Sequence, residues 1–355
     1  MAHFNVADDE KARLLQHGSH GKVLEMILLV KQLAEREKVT PADVIVQVED
    51  AQGQHLGHHC TRGGTPNCRG NLRLRPSVSN TNTYHLCYGQ RLTLYCNKAA
   101  LMRCLAEFTP TQKGLRMLFL NARDQTGNTP LMVGARQGHI RMFVLLVSKG
   151  VLVNTKNDAK ETVLHQAVHS HSIEMLDTAI RVGADVDAGD AHDRTSLHYA
   201  AVYNDLEACK MLIGLGKASL VIKETHGHTV LHIAAKAGHF EIASAALAAG
   251  AEPDEESKEG ATALHLAAAW GHPIVVSLLS VNGANVNAQD SACRTPLHAA
   301  ATSKRDGTLD CIKTLLASGH VKPELKDRMW NTAEELAYGR KDVLALFKAH
   351  VKLSH

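Results

Sequence analysis

A Thr-x-Leu motif recurs six times along this chain at a nearly constant interval. The copies begin at Thr129, Thr162, Thr195, Thr229, Thr262 and Thr295. Successive copies are 33, 33, 34, 33 and 33 residues apart, by subtraction of those numbers. In five copies a histidine follows the leucine: His165, His198, His232, His265 and His298. A period of this length that opens with Thr-x-Leu-His predicts a repeat protein built from stacked helix-turn-helix units.

The other positions of each unit follow the same order. An alanine-rich stretch comes first, then a Gly-His pair such as Gly271-His272, then a second apolar segment that stops at a glycine such as Gly283. Threonine is a good N-cap, and glycine permits the left-handed backbone that ends a helix. A single unit cannot bury its own apolar face, so neighbouring units must cover it.

These units resemble ankyrin repeats over roughly residues 120 to 350, and the copy from Gly260 to Asp290 matches nearly every position of that pattern. The resemblance implies an all-α solenoid of stacked helix pairs with projecting turns. It also implies protein–protein recognition in a concave groove rather than catalysis. Neither a Gly-rich phosphate loop nor a Gly-x-Ser-x-Gly or His-Glu-x-x-His motif is present, so we expect no enzyme and no cofactor.

The domain organisation follows from where the pattern is clear and where it fails. Val44 to Val48 is a β-branched run that predicts a strand within an irregular insertion. The predicted segments are a helical hairpin or divergent first repeat at 1–38, an irregular insertion at 39–88, a divergent repeat at 89–121, six repeats at 122–330 and a capping repeat at 331–355.

One late repeat is longer than the others. Leu297 lies 19 residues before Leu316, whereas Leu264 lies 15 residues before Leu279, by subtraction. The extra residues therefore fall around Ser303 to Gly307. Insertions in a solenoid form loops, often on a binding face, although drift in a surface loop is an equally simple interpretation.

Composition and charge exclude several classes of function. Lys and Arg number 39 against 36 Asp and Glu, so the formal net charge is +3 and no nucleic-acid footprint is indicated. No apolar run reaches membrane-spanning length. The eight cysteines lack framework spacing, which favours reduced thiols in the cytoplasm or nucleus. We expect a monomer apart from its protein partner.

The resemblance places partner-binding residues just before the Gly-His position of each repeat. The predicted groove residues are Gln137, His169, Tyr203, Ala237 and Trp270. Tyr203 and Trp270 are rare aromatics in a chain that is 4% aromatic. Exposed tyrosine and tryptophan dominate interface energetics, although packing against a neighbouring helix is the alternative.

The projecting turns are predicted to form a mixed-charge rim around that groove. Its predicted members are Arg123, Asn157, Lys160, His192, Asp193, Glu224, His226, Lys258 and Arg294. The histidines of the repeat motif are assigned a structural role instead, in which they bond backbone groups between units.

Two further sites follow from individual residues. Asn154 and Asn287 each follow a leucine by eight residues and a valine directly, which resembles substrates of asparagine hydroxylases.

His58, Cys60, Cys68, His85 and Cys87 are residue types that bind zinc. Their spacing is not that of a common zinc finger, so a polar loop without metal is the simpler interpretation.

The leading functional hypothesis is a non-enzymatic scaffold, adaptor or regulator. One alternative is an IκB-like inhibitor or regulator of Rel-type transcription factors, because those proteins are ankyrin stacks of similar size. Another is a metal-binding protein that uses the His- and Cys-rich segment 55–96. A ligase adaptor is a further alternative, for which no recruiting box is recognisable after the last repeat.

Overall fold

The computed structural model describes residues 32, 117, 120, 121, 123, 124 and 126–353. Within this part of the chain the regular structure is helical, and no strand is formed. The chain divides between Asp185 and Val186 into two compact units. The predicted strand at 44–48 and the segments 1–38 and 39–88 lie outside the described residues, except for Gln32, and so does most of the predicted divergent repeat at 89–121. What was predicted for these segments therefore stays a prediction.

The described part of the first unit contains two helix pairs. Helices α1 (Pro130–Arg136) and α2 (Ile140–Ser148) form one pair, and α3 (Val163–His169) and α4 (Ile173–Arg181) form the next. Helix α1 packs on α3, and α2 packs on α4, so first helices meet first helices and second helices meet second helices. The core between them is apolar, and its fully buried members include Leu131, Phe143, Leu164 and Met175.

The second unit continues the same arrangement through five further pairs. Its helices are α5 (Ser196–Val202), α6 (Leu206–Gly214), α7 (Val230–Ala237), α8 (Phe240–Ala248), α9 (Ala263–Trp270), α10 (Pro273–Val281), α11 (Pro296–Thr302), α12 (Thr308–Ala317), α13 (Ala333–Leu336) and α14 (Lys341–Leu353). The inner series α5, α7, α9, α11 and α13 packs helix on helix, and the outer series α6, α8, α10, α12 and α14 does the same. This is the all-α architecture that the repeat pattern predicts.

Each first helix that carries the full motif begins with the same hydrogen-bonded pair. The backbone N–H of the motif threonine donates to Nδ1 of the motif histidine over 3.0–3.3 Å. Because Nδ1 accepts this bond, it carries no proton, and the ring hydrogen lies on Nε2. The histidine thus performs the role that glutamate performs in an ordinary capping box.

The same histidines join successive repeats of the second unit. Their Nε2 atoms donate to backbone carbonyls of the next repeat over 2.9–3.3 Å, in the pairs His198–His228, His232–Ala261, His265–Arg294 and His298–Asn331. Burial lowers the pKa of all four histidines, and that of His232 falls to about 4. For these four residues the predicted structural role is confirmed.

The projecting turns are held by a side chain at their first position. Asp190 Oδ1 accepts the backbone N–H groups of His192 and Arg194 at 2.7 and 2.9 Å. Asp124, Asp290 and Asp327 make the same two bonds to the residues two and four positions later. An Asx-type turn of this kind satisfies backbone groups that would otherwise be unpaired at the tip.

The last two repeats of the second unit differ from the regular pattern. Helix α11 ends at Thr302 and α12 begins at Thr308, so the predicted insertion lies at Ser303–Gly307. In the final repeat, Glu335 replaces the histidine of the cap and accepts the Thr332 N–H at 2.7 Å. The domain boundaries assigned from the sequence stay predictions.

Candidate partner-binding surface

In each unit the candidate binding residues lie at the C-terminal ends of the first helices, here called the inner-helix ends. Gln137 and Tyr203 are the C-cap residues of α1 and α5. Ala237 and Trp270 are the last residues of α7 and α9. In α3 the C-cap residue is Ser170, and His169 lies one position earlier. Ser170 is therefore the counterpart of Gln137 and Tyr203, and the sequence-based alignment of His169 was shifted by one residue.

In the first unit the inner-helix ends are polar. Arg136 Nη1 donates to Gln166 Oε1 at 3.4 Å, which links α1 to α3. His169 Nε2 lies 4.0 Å from Glu161 Oε1. Burial, followed by the neighbouring Arg136 charge, lowers the pKa of His169, so its ring is neutral at pH 7. This part of the surface therefore offers hydrogen-bonding groups beside the exposed charge of Arg136.

Tyr203 is the first of the inner-helix ends in the second unit. Its side chain is 39% exposed, and its ring lies 6.2 Å from that of Tyr199, tilted by 54°. Tyr199 is buried, and its hydroxyl donates to Asp190 Oδ2 at 2.9 Å. The buried ring therefore supports the exposed one, which presents its remaining area outward.

Trp270 is only half-exposed because two cations lie over its ring. The guanidinium carbon of Arg305 lies 3.6 Å from the ring centroid, and Lys236 Nζ lies 5.1 Å from it. Lys236 precedes the end of α7, whereas Arg305 belongs to the inserted loop Ser303–Gly307. Three repeats thus contribute side chains to one place, which we call the Trp270 cluster.

The inserted loop is fixed against the neighbouring repeat. The backbones of Gly271 and Gly307 approach so closely that a Cβ on Gly271 would overlap the carbonyl oxygen of Asp306. Arg340 holds the other side of the loop, where its guanidinium donates to the carbonyls of Ala301 and Ser303 and, at 3.2 Å, to Thr308 Oγ1. The loop therefore holds Arg305 near Trp270 through backbone contacts.

In the first unit, two of the predicted rim residues are exposed. Arg123 donates from Nε to the Gly127 carbonyl at 3.0 Å, and its Nη2 lies 3.9 Å from Asp158 Oδ1. Lys160 occupies a turn tip with a positive φ of 58°. Asn157 is different, because it is 6% exposed and its Oδ1 accepts the Glu161 N–H at 2.8 Å. Its predicted place on the rim was wrong.

In the second unit, His192, Asp193, His226, Lys258 and Arg294 are exposed at the turns. Glu224 is buried, so its predicted place on the rim was also wrong. Its carboxylate contacts His226 Nδ1 at 2.8 Å and His228 Nδ1 at 3.1 Å. Burial alone would raise the pKa of Glu224, but hydrogen bonds from His226 and His228 outweigh it and hold that pKa at about 2. Glu224 occupies the turn position that Asp190 occupies in the preceding repeat.

Among the exposed apolar residues that the sequence analysis did not select, three lie in the last repeat of the second unit. Met329 and Trp330 lie at the last turn, each with 77% of its surface exposed, and Tyr338 follows α13 with 94% exposed. Trp330 has a positive φ of 64°, at the turn position where Gly227 and Gly260 stand in earlier repeats. One available signal was that the chain contains only two tryptophans.

Asn154 and Asn287 bridge consecutive repeats. In each case Nδ2 donates to a carbonyl of the next repeat, that of Gly183 at 3.2 Å and that of His320 at 2.8 Å. Their Oδ1 atoms accept backbone N–H groups from Asp185 and Lys322. Both asparagines therefore have a structural function as they stand.

The described part of the chain shows neither a cluster of metal ligands nor a membrane-spanning helix. No group of three or more potential metal ligands comes together there. The zinc candidates His58, Cys60, Cys68, His85 and Cys87 lie outside the described residues. None of the described helices combines the length and apolar character that crossing a membrane requires.

Sequence comparison finds ankyrin repeats through most of the described region. The family model for three tandem ankyrin repeats matches residues 152–223 and 218–290, and the model for a single repeat matches 126–158 and 293–328. The p105 subunit of nuclear factor NF-kappa-B from Mus musculus is 33% identical over 144 residues. That match covers 39% of this chain but only 15% of the relative, so it concerns a small part of that protein.

Two solved structures share the fold. The ankyrin repeat domain of Bcl-3, described as a unique member of the IkappaB protein family, aligns with a TM-score of 0.56 and 28% identity. The alignment covers 62% of this chain and 99% of that domain. The human ASB11 ankyrin repeat domain aligns with a TM-score of 0.55 and 25% identity, over 63% of this chain and 98% of the domain. The family matches run from residue 126 to 328, more than half of the chain, and the protein belongs to the ankyrin-repeat family.

Proposed function

We propose that this protein is a non-enzymatic scaffold, adaptor or regulator that binds one protein partner along its inner-helix ends. The observation that carries the proposal is a contrast within each first helix. The helix starts repeat the same threonine, which α3, α5, α7, α9 and α11 pair with a histidine, whereas the ends carry Gln137, Ser170, Tyr203, Ala237 and Trp270. A surface that differs at every repeat on a uniform scaffold is suited to recognising one partner.

Two aromatic residues are expected to supply much of the binding energy. Tyr203 is partly exposed, and Trp270 is half-exposed beside the side chains of Lys236 and Arg305. Truncation of such an anchor at a protein interface costs about 2 kcal/mol or more. The polar ends of α1 and α3 are expected to fix orientation rather than to provide most of the affinity.

Affinity capture with the full chain tests this proposal. Wild type, Tyr203→Ala/Trp270→Ala and Ile274→Ala/Val281→Ala are compared as baits at matched folded concentration. Ile274 and Val281 are exposed at 68% and 83% on the outer helix α10, so they control for loss of apolar surface. We expect a partner that the outer-face variant retains and the first variant loses. A partner retained equally by both variants would place binding elsewhere.

A narrower candidate is an IκB-like regulator of Rel-type transcription factors. It is supported by the similarity to the p105 subunit and to Bcl-3, the latter described as an IkappaB family member. The comparable likeness to human ASB11 supports the general scaffold equally well. Titration with a purified Rel dimer discriminates between them. Saturable binding that the Tyr203→Ala/Trp270→Ala variant weakens favours the narrower function, and no binding at micromolar concentration removes it.

Location and assembly form part of the same proposal. We propose a monomer that works in the cytoplasm, the nucleus or both, because the described helix pairs of one chain pack on one another. Hydroxylation of Asn154 and Asn287 is proposed as a modification, since both side chains lie at turns where one face remains accessible. A one-oxygen mass increase on either peptide from cells supports it, and unmodified peptides throughout would contradict it.

A further inference from the structure

We propose that the Trp270 cluster binds the carboxylates of an acidic, Asp- and Glu-rich segment of the protein partner. This inference rests on the proposed function, since it specifies the chemistry of what occupies the inner-helix ends. An acidic segment is favoured because the cations of the cluster lack ion-pair partners, because the Arg305 guanidinium has free hydrogen-bond donors, and because its loop is held in place.

The cations of the cluster lack anionic partners. Lys236 and Arg305 both lie within 5.1 Å of the Trp270 ring centroid, so their charges repel each other. Among the described residues, neither side chain forms an ion pair, and the neighbouring Lys304 forms none either. Asp306 is the one acidic residue in the inserted loop, and its carboxylate pairs with none of these three cations. An external anion would relieve the repulsion.

The donors of Arg305 remain available to such an anion. Stacking on an indole occupies the face of a guanidinium, whereas its N–H groups point outward in the plane. The hydrogen bonds of Arg305 within the described chain are made by its backbone, which accepts from Thr308 Oγ1 at 2.9 Å. A planar guanidinium with free edges matches a carboxylate through two parallel hydrogen bonds.

The position of Arg305 is set before any ligand arrives. The Gly271–Gly307 approach and the Arg340 hydrogen bonds hold both sides of the loop that carries it. A pre-positioned group loses less conformational entropy on binding than a mobile surface arginine does. This distinguishes the cluster from exposed basic residues such as Lys210, which pairs with Glu207 at 3.1 Å.

The charge balance favours an acidic protein segment over a nucleic acid. The chain carries a net charge of only +3, and the exposed turns include acidic residues such as Asp193 and Glu259. A nucleic-acid site needs several cations that follow successive phosphates. The pair of cations at the Trp270 ring suits one or two carboxylates instead.

NMR titration of the ¹⁵N-labelled full chain with an acetylated and amidated hexaglutamate peptide tests the inference. The chain has two tryptophans, so two indole Nε1–H signals report on Trp270 and Trp330, and the Trp330→Phe variant assigns them. We expect the Trp270 signal to shift on addition of hexaglutamate and the Trp330 signal to stay in place. Hexaglutamine is the matched neutral peptide and should shift neither.

Two charge variants locate the binding. Arg305→Gln removes one cation of the cluster, and Lys210→Gln removes one cation elsewhere in the same unit. We expect Arg305→Gln to weaken hexaglutamate binding by about tenfold, as for loss of a charge-assisted hydrogen bond, and Lys210→Gln to leave it within about twofold. Equal weakening by both variants, or a shift of Trp330 instead of Trp270, would overturn the site.

This failure is distinguishable from failure of the proposed function. If wild type does not bind hexaglutamate, yet Tyr203→Ala/Trp270→Ala still loses a captured partner, the acidic specificity is wrong and the groove function stands. If that double variant loses no partner, the groove function itself falls. Thermal unfolding of each variant confirms that a lost signal does not come from a lost fold.

Discussion

The two ends of each first helix follow different rules. At the start, a threonine and a histidine form the same buried hydrogen-bonded pair in repeat after repeat, and the histidine reaches a carbonyl of the next repeat. At the end, the residue changes from glutamine to serine, tyrosine, alanine and tryptophan. The starts join the repeats, so few residue types are tolerated there. The ends do not share this conserved hydrogen-bonded pair, and their residues can therefore differ from repeat to repeat according to a partner.

The largest expected loss of stability comes from truncating a buried leucine near the start of a first helix. Leu264 is fully buried, and truncation to alanine removes contacts with both neighbouring repeats, so Leu264→Ala should lower the free energy of unfolding by about 3 to 4 kcal/mol. Urea denaturation measures this. Leu266→Ala, two residues later on a half-exposed position, is the matched control and should cost clearly less. Equal losses of unfolding free energy in the two variants would contradict the special role of the buried helix start.

The next effect is a pH dependence that the buried histidines impose. Burial lowers the pKa of His232 from the 6.5 of an unfolded chain to about 4, so folding favours its neutral form. Its stabilisation is complete above pH 6.5 and is lost as the pH falls toward 4, by about 3 kcal/mol in total.

Unfolding free energies at pH 7 and pH 5 check this prediction. His232→Gln should depend less on pH than wild type does across that interval. Glu224 does not confuse the result, because its carboxylate, with a pKa of about 2, loses its stabilising contribution only below about pH 4.5. An identical pH dependence in wild type and variant would contradict the assignment of His232 as a buried neutral ring.

A smaller effect tests the inserted loop. Gly271 and Gly283 both have positive φ values, 79° and 88°, but only Gly271 faces another backbone closely. Gly283→Ala should cost about 1 kcal/mol from the left-handed conformation alone. Gly271→Ala should cost about 2 to 3 kcal/mol, because its Cβ also displaces the loop. Thermal or urea unfolding compares them, and equal losses would show that the loop is not held there.

The smallest effect is expected at the inner-helix ends themselves. Ala237→Ser and Gln137→Ala should each change the unfolding free energy by less than about 0.5 kcal/mol, because neither position joins two repeats. The same urea titration measures both. A loss near that of Leu264→Ala would mean that the ends, like the starts, hold the scaffold together.

The sequence predicted much of the scaffold because its signals are local and repeated. The period located the first helices, and the spacing from Leu297 to Leu316 located the inserted loop. The surface was less predictable, for physical reasons. Arg305 reaches Trp270 from 35 residues away, through a loop conformation that the repeat pattern does not encode. Glutamate is usually exposed, yet the geometry of its turn buries Glu224. His169 was chosen in place of Ser170 because that repeat has His171, not glycine, at the position that marks the end of the first helix.

Amide hydrogen exchange with and without the captured partner tests the central claim most directly. The contrast between the two ends predicts new protection at the ends of α5, α7 and α9, around Tyr203, Ala237 and Trp270. It predicts unchanged exchange along the outer helices α8 and α10 at the same partner saturation. Protection confined to those outer helices, with the inner-helix ends exchanging as in the free protein, would contradict the account.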